Sequence, residues 1–146
     1  MQFPQVVVFE SDGKLARHLA ESASSNRWLM REARQTDACL NWVRRRGPVV
    51  LVLKVGRNLQ RELEMLDAVR SSLPDVPVIA VTDSDDPLLE SLMYDLGATF
   101  VLLPPLRRSQ LAELVERVMQ SAIARLKQRT FLLELGPRSK MTDEPD

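Results

Sequence analysis

The chain has 146 residues, enough for one domain of common size. It is 45% hydrophobic and 27% charged, and its 20 Lys and Arg are matched by 20 Asp and Glu, so bulk attraction to nucleic acid or to an anionic membrane is not expected. One cysteine, Cys39, and one histidine, His18, exclude an internal disulfide framework and a cysteine- or histidine-rich metal site. The start, Met1-Gln2-Phe3-Pro4, lacks the basic segment and long apolar core of a secretion signal, and no run has the length to span a bilayer. A cytoplasmic protein is the expectation.

Residues 5–9, Gln-Val-Val-Val-Phe, read as a short buried strand ending on Glu10-Ser11-Asp12-Gly13. Leu15, Ala16, Leu19 and Ala20 then fall at helical spacing, with Ser11 or Asp12 expected as the cap. Residues 27–33 form a weaker strand, expected near a sheet edge. Thr36 is the expected cap of a helix carrying Ala38, Cys39, Trp42 and Val43 on one side and ending at Gly47. Pro48-Val49-Val50-Leu51-Val52-Leu53 is an unbroken apolar run that stops on Lys54. Such a run reads as a strand buried on both faces, which implies a parallel sheet covered by helices.

Asn58 can cap the next helix, whose apolar side is Leu59, Leu63, Leu66, Ala68, Val69 and Leu73. Residues 78–81 form the fourth strand, followed by Thr82-Asp83-Ser84-Asp85-Asp86. Pro87 suits a first helical position, and Gly97 closes that helix. Residues 99–103 form the fifth strand, stopped by Pro104-Pro105. Ser109 is the expected cap of a last helix whose stripe runs from Leu111 to Leu126. At 1.5 Å per residue, residues 110–128 reach roughly 28 Å, more than one small sheet requires, so an overhang that pairs with a second copy is one of two readings; the other is a core helix that simply projects. Residues 129–146 form a C-terminal extension, polar and expected to be disordered from Arg138 onward. Five strands alternating with five helices predict a doubly wound α/β domain over residues 4–128, a three-layer sandwich around a five-stranded parallel sheet.

Most catalytic arrangements are missing from the sequence. There is no glycine-rich phosphate cradle. Ser11, Ser84 and Cys39 have no histidine placed in sequence to suggest a triad, and His18 lies within the first helix. Asp83-Ser84-Asp85-Asp86 lacks the spacing, central Gly and terminal Glu of a calcium loop and reads as an acidic helix start. Trp28 and Trp42 read as packing residues, and Arg44-Arg45-Arg46 and Arg107-Arg108 as solvated helix ends. No cofactor is called for.

The alternating order, the acidic turn after strand one, Thr82 after strand four, and the stretch Gly97-Ala98-Thr99-Phe100-Val101-Leu102-Leu103-Pro104-Pro105-Leu106 together resemble the receiver domain of response regulators, the CheY-like, flavodoxin-like family. The resemblance implies phosphoryl transfer from a histidine kinase to an aspartate that ends strand three. It further implies a Mg²⁺ ion held by that aspartate and an acid pair after strand one, a Thr or Ser after strand four, a lysine after strand five and an aromatic residue on strand five. In this chain Lys54 stands at the acceptor position, Glu10-Ser11 replaces the acid pair, Thr82 is kept, Pro104 takes the lysine position and Val101 the switch-aromatic position, with Phe100 one residue before it. Residues 48–58 contain no Asp or Glu, so no sliding of the alignment restores the acceptor. An ammonium cannot form an acyl phosphate and repels a metal ion. Its expected counter-ion is Glu10, because burying an unpartnered ammonium is costly.

The expectation is therefore a phosphorylation-incompetent receiver-like domain. It is not an enzyme, and it serves bacterial signal transduction as a protein-interaction or dimerisation module. Its partner is a signalling or transcription protein, with a homodimer through residues 87–126 and no direct contact with nucleic acid or membrane. The alternative is a flavodoxin-like domain that binds a small ligand or anion in the crevice at the strand ends. A third reading is phosphorylation on an unusual residue.

Overall fold

The structure is a computed structural model that describes residues 3–143, with side chains from Phe3 to Glu134 apart from Arg108. Five strands, β1 (Gln5–Phe9), β2 (Leu29–Ala33), β3 (Val49–Val55), β4 (Val78–Thr82) and β5 (Phe100–Leu102), form one sheet in the order β2-β1-β3-β4-β5. Every pairing is parallel. The helices are α1 (Lys14–Asn26), α2 (Thr36–Val43), α3 (Leu59–Ser72), α4 (Pro87–Asp95) and α5 (Arg108–Asp143).

Burial follows position in the sheet. The residues of β1 and β4 are all buried, as are those of β3 apart from Lys54, while β2, at an edge, buries only Ala33. This is why β1, β3 and β4 are nearly continuous apolar runs and β2 is not. Alternation along β3 sends Leu51, Leu53 and Val55 to one core and Val50 and Val52 to the other. The first core is closed by Cys39 and Val43 of α2, Met65, Leu66 and Val69 of α3, and Met93 of α4. The second is closed by Leu15 and Leu19 of α1 and by Leu111, Val115 and Met119 of α5. Burial pushes the Cys39 thiol up to about 12, which leaves it protonated and inert at neutral pH.

Several helix ends differ from the sequence expectation. Asn58 caps as expected, accepting from the Arg61 amide, and Pro87 takes the first position of α4 as expected, behind Asp86, which accepts from the Leu88 amide. Thr36, however, is the first residue of α2 rather than its cap, because extended Gln35 precedes it. Helix α2 ends at Val43, before Gly47. Ser109 sits inside the first turn of α5, which begins at Arg108. Gly97 has φ 119°, and a Cβ there would lie 2.7 Å from the Arg70 side chain, so both backbone and space require glycine. Helix α5 spans 36 residues, about 54 Å. It continues through Gly136-Pro137, so residues 138–143 are helical where disorder was expected, and residues 144–146 lie outside the described residues. From Ala124 to Glu134 its side chains are exposed.

Candidate functional site

The carboxyl ends of β1, β3 and β4 open into a crevice of about 400 Å³, lined by Ser11, Asp12, Lys14, Lys54, Thr82 and Asp83 among others. Parallel strands place it there: all their carbonyl ends point one way, and each chain leaves the sheet at that edge to enter its helix. Lys54 is the penultimate residue of β3, level with Val81 of β4. It shares a sheet face with Val50 and Val52, so its stem starts from the core closed by α1 and α5 and its ammonium reaches the rim.

The expected Lys54–Glu10 pair is not formed. Lys54 Nζ lies 3.0 Å from Asp83 Oδ1, and Asp83 is 86% exposed. Glu10 instead turns both carboxylate oxygens to the start of α1, accepting from the Leu15 amide through Oε1 and the Ala16 amide through Oε2, each at 2.8 Å. These are two of the amides that a helix leaves without an internal partner in its first turn. Gly13, at φ 76°, folds the loop so that a residue three positions before the helix cap can reach them. Glu10 is thus a structural cap for the second and third amides of α1, and Asp12 caps the first. Asp12 accepts from the Lys14 amide, the first of α1, at 3.1 Å. Burial raises the Glu10 carboxyl above its ordinary 4.5; the two amide hydrogen bonds oppose that rise, and neighbouring Asp12 adds to it. Asp12 is held lower, chiefly by the Lys14 amide.

With Glu10 committed to the helix, Lys54 finds its carboxylate one residue past β4, next to Thr82. The sequence signal for Asp83 was present, since it directly follows Thr82 on the neighbouring strand, but it reads there as part of an acidic helix start. The pair lies at the water-exposed rim, so it contributes at most about 1 kcal/mol. Lys54→Met is therefore expected to shift the unfolding free energy by less than about 1 kcal/mol, measured by denaturant titration; a loss of several kcal/mol would show that the ammonium carries structural weight.

Thr82 is 1% exposed, and its Oγ1 accepts from the Ser84 amide at 3.1 Å, shaping the turn that presents Asp83. Glu62, another residue the sequence left unassigned, reaches back from α3 to accept from the Gly56 amide at 2.8 Å. It anchors the β3–α3 loop beneath the crevice and is 6% exposed. Ser11, Lys54 and Thr82 meet around the crevice. Pro104 is exposed in the β5–α5 turn and does not line it. Val101 is buried, its amide donating to Tyr94 Oη at 3.3 Å, while Phe100 is 40% exposed. Among the described residues no group of three or more His, Cys, Asp or Glu side chains is placed to hold a metal ion, and no helix is long and apolar enough to cross a membrane.

No family model and no curated protein matches this sequence. Solved structures do. A CheY-like response regulator receiver domain protein from Methanospirillum hungatei JF-1 superposes with a TM-score of 0.70 at 12% identity, covering 83% of this chain and 97% of that one. A response regulator from Thermotoga maritima gives 0.68 at 19% identity, covering 82% and 99%. The receiver domain of the Francisella response regulator 1452 gives 0.68 at 19%, covering 81% and 98%. These neighbours are matched over almost their whole length: the chain has the fold of the CheY-like response regulator receiver domains.

Proposed function

We propose that this chain is a receiver-like domain that works in signal transduction without being phosphorylated, as a protein-interaction and dimerisation module rather than an enzyme. The observation that carries the proposal is the Lys54 ammonium at the end of β3, ion-paired with Asp83 where a receiver would place its acceptor carboxylate. A cation at that point offers no oxygen to a phosphorus centre, and it repels the divalent ion that such transfer requires. Glu10 cannot substitute, because both its oxygens are engaged by α1. Thr82 Oγ1 accepts from the Ser84 amide, which ties it to the turn that presents Asp83. The chain's own Lys54–Asp83 pair stands in the place where a receiver switches by binding phosphate.

The surface proposed for partners is formed by residues 87–126. It exposes Leu88 at 80%, Leu92 at 41%, Tyr94 at 46% and Phe100 at 40%, four large apolar or aromatic side chains on α4 and β5 that remain partly open to water. The partner is a second copy of the chain or a signalling protein.

The test is direct. The protein is incubated with Mg²⁺ and acetyl phosphate or beryllofluoride, and intact mass and amide chemical shifts are followed. No adduct and no Mg²⁺-dependent shift around Lys54, Thr82 and Asp83 are expected. A stable phosphoryl adduct, on any residue, would overturn the proposal.

A further inference from the structure

At the opposite, amino-terminal edge of the sheet lies a second cleft, of about 190 Å³. It sits about 16 Å along β3 from Lys54, at the strand's first residue. Its floor is apolar: Val43 from α2, Val49 from β3, Leu73, Val76 and Pro77 from the α3–β4 connection. Its rim carries four guanidinium groups, Arg44 and Arg45 after α2 and Arg125 and Arg129 on α5, against one carboxylate, Asp75. In a chain whose formal net charge is zero, this is a strong local excess of positive charge.

The rim is arranged by the fold. Ala122 and Leu126, and likewise Arg125 and Arg129, stand four residues apart, so one face of α5 closes the cleft. Arg45 lies 4.4 Å above the Trp42 ring, whose other contact is Arg31 at 4.2 Å, so its guanidinium is held by stacking rather than left to wander. Asp75 Oδ2 accepts from Arg129 Nη2 at 2.9 Å, and both side chains are more than 60% exposed.

We infer that this cleft is a docking site for an acidic peptide segment of a partner protein, one large apolar side chain entering between α5 and the strand edge while flanking carboxylates meet Arg44, Arg45 and Arg125. Size selects the occupant: the cleft is smaller than the roughly 300–1,000 Å³ that holds a drug-sized ligand, and it suits a single side chain. Charge selects the flanks, since planar arginine forks pair with carboxylates two bonds at a time. The inference gives the interaction module proposed above a second contact, at the sheet edge opposite the Lys54 crevice and bordering the residue 87–126 surface at Ala122, Arg125 and Leu126, so the phosphoryl-donor experiment neither supports nor removes it.

The probe is a fluorescein-labelled peptide with one Phe flanked on each side by Asp and Glu, titrated with the full chain and read by fluorescence anisotropy. Binding is expected to weaken as salt rises. It should fall at least tenfold in Arg44→Glu combined with Arg125→Glu, and should be unchanged in Lys54→Met. Asp75→Asn, which releases Arg129 and removes the one opposing charge, is expected to tighten binding about twofold to fivefold. Replacing the peptide's Phe by Ser should abolish binding. Arg44→Gln with Arg125→Gln serves if the charge-reversed protein does not fold by circular dichroism. No binding at about millimolar peptide, equal binding by the arginine variants, or tighter binding of tripolyphosphate or single-stranded DNA at this cleft would overturn the inference.

Discussion

Glu10→Ala is expected to lower the unfolding free energy by about 2–4 kcal/mol, because it strips the partners from two buried amides at once and each such loss costs about 1–3 kcal/mol. Leu15 and Ala16, whose amides Glu10 accepts, are 2% and 3% exposed, so water cannot readily replace the carboxylate. The negative charge at the positive end of α1 is lost as well. For a domain of this size the melting temperature should fall by roughly 10 °C. Glu10→Gln, which keeps one acceptor oxygen, should cost about half as much.

The effect depends on pH in a definite direction. Burial raises the folded-state Glu10 carboxyl above its ordinary 4.5, so over that window the folded chain holds a proton that the unfolded chain has released. Stability contributed by this group therefore increases as pH falls through the folded value and is complete below 4.5. The gap between the native chain and Glu10→Ala should widen on acidification toward 4.5 and then stay constant. The lowered Asp12 carboxyl works in the opposite sense, but its main cause, the Lys14 amide, is present in both proteins and largely cancels in the comparison. Urea titrations at several pH values check this; a gap that narrows on acidification would show that Glu10 acts mainly as an ionised cap.

The second large effect separates the two uses of apolar residues in this chain. Leu111, at the start of α5, is 0% exposed and packs in the core that α1 and α5 close over the sheet. Leu111→Ala is expected to cost about 2–5 kcal/mol, the range for a buried leucine whose cavity only partly collapses. Leu88 on α4 is 80% exposed. Leu88→Glu should leave the melting curve within about 0.5 kcal/mol of the native protein, yet weaken self-association. Light scattering across a concentration series distinguishes them: Leu111→Ala unfolds early, while Leu88→Glu stays folded and shifts toward monomer. A native chain that remains strictly monomeric at high concentration would reject the dimer and leave this face to a different protein.

The fold was legible because its signals are local. Three apolar runs, in β1, β3 and β4, announce strands buried on both faces without reference to anything else in the chain. Pro87 and Gly97 bound α4, and the spacing of Leu and Val in α3 and α5 is read directly from period. The same locality puts Lys54 at the end of β3 and shows that no acid lies within residues 48–58. Even the weak β2 is readable, since an edge strand buries less and is written in a more polar sequence.

What the sequence determined by itself was which side chain stands at each strand end. Only the tertiary structure decided which groups those side chains meet. Glu10 and Lys54 sit level on neighbouring strands, which made them look like partners, but α1 begins directly beside Glu10 and two unsatisfied buried amides are stronger claimants than an ammonium that can reach water. Asp83, one residue past its strand, then becomes the counter-ion. Likewise, Arg44 and Arg125 are 81 positions apart, and nothing local brings them to one cleft. Strand and helix follow from periodicity over a few residues, whereas a charge pair or a binding cleft depends on distances between elements, and those exist only once the sheet is assembled.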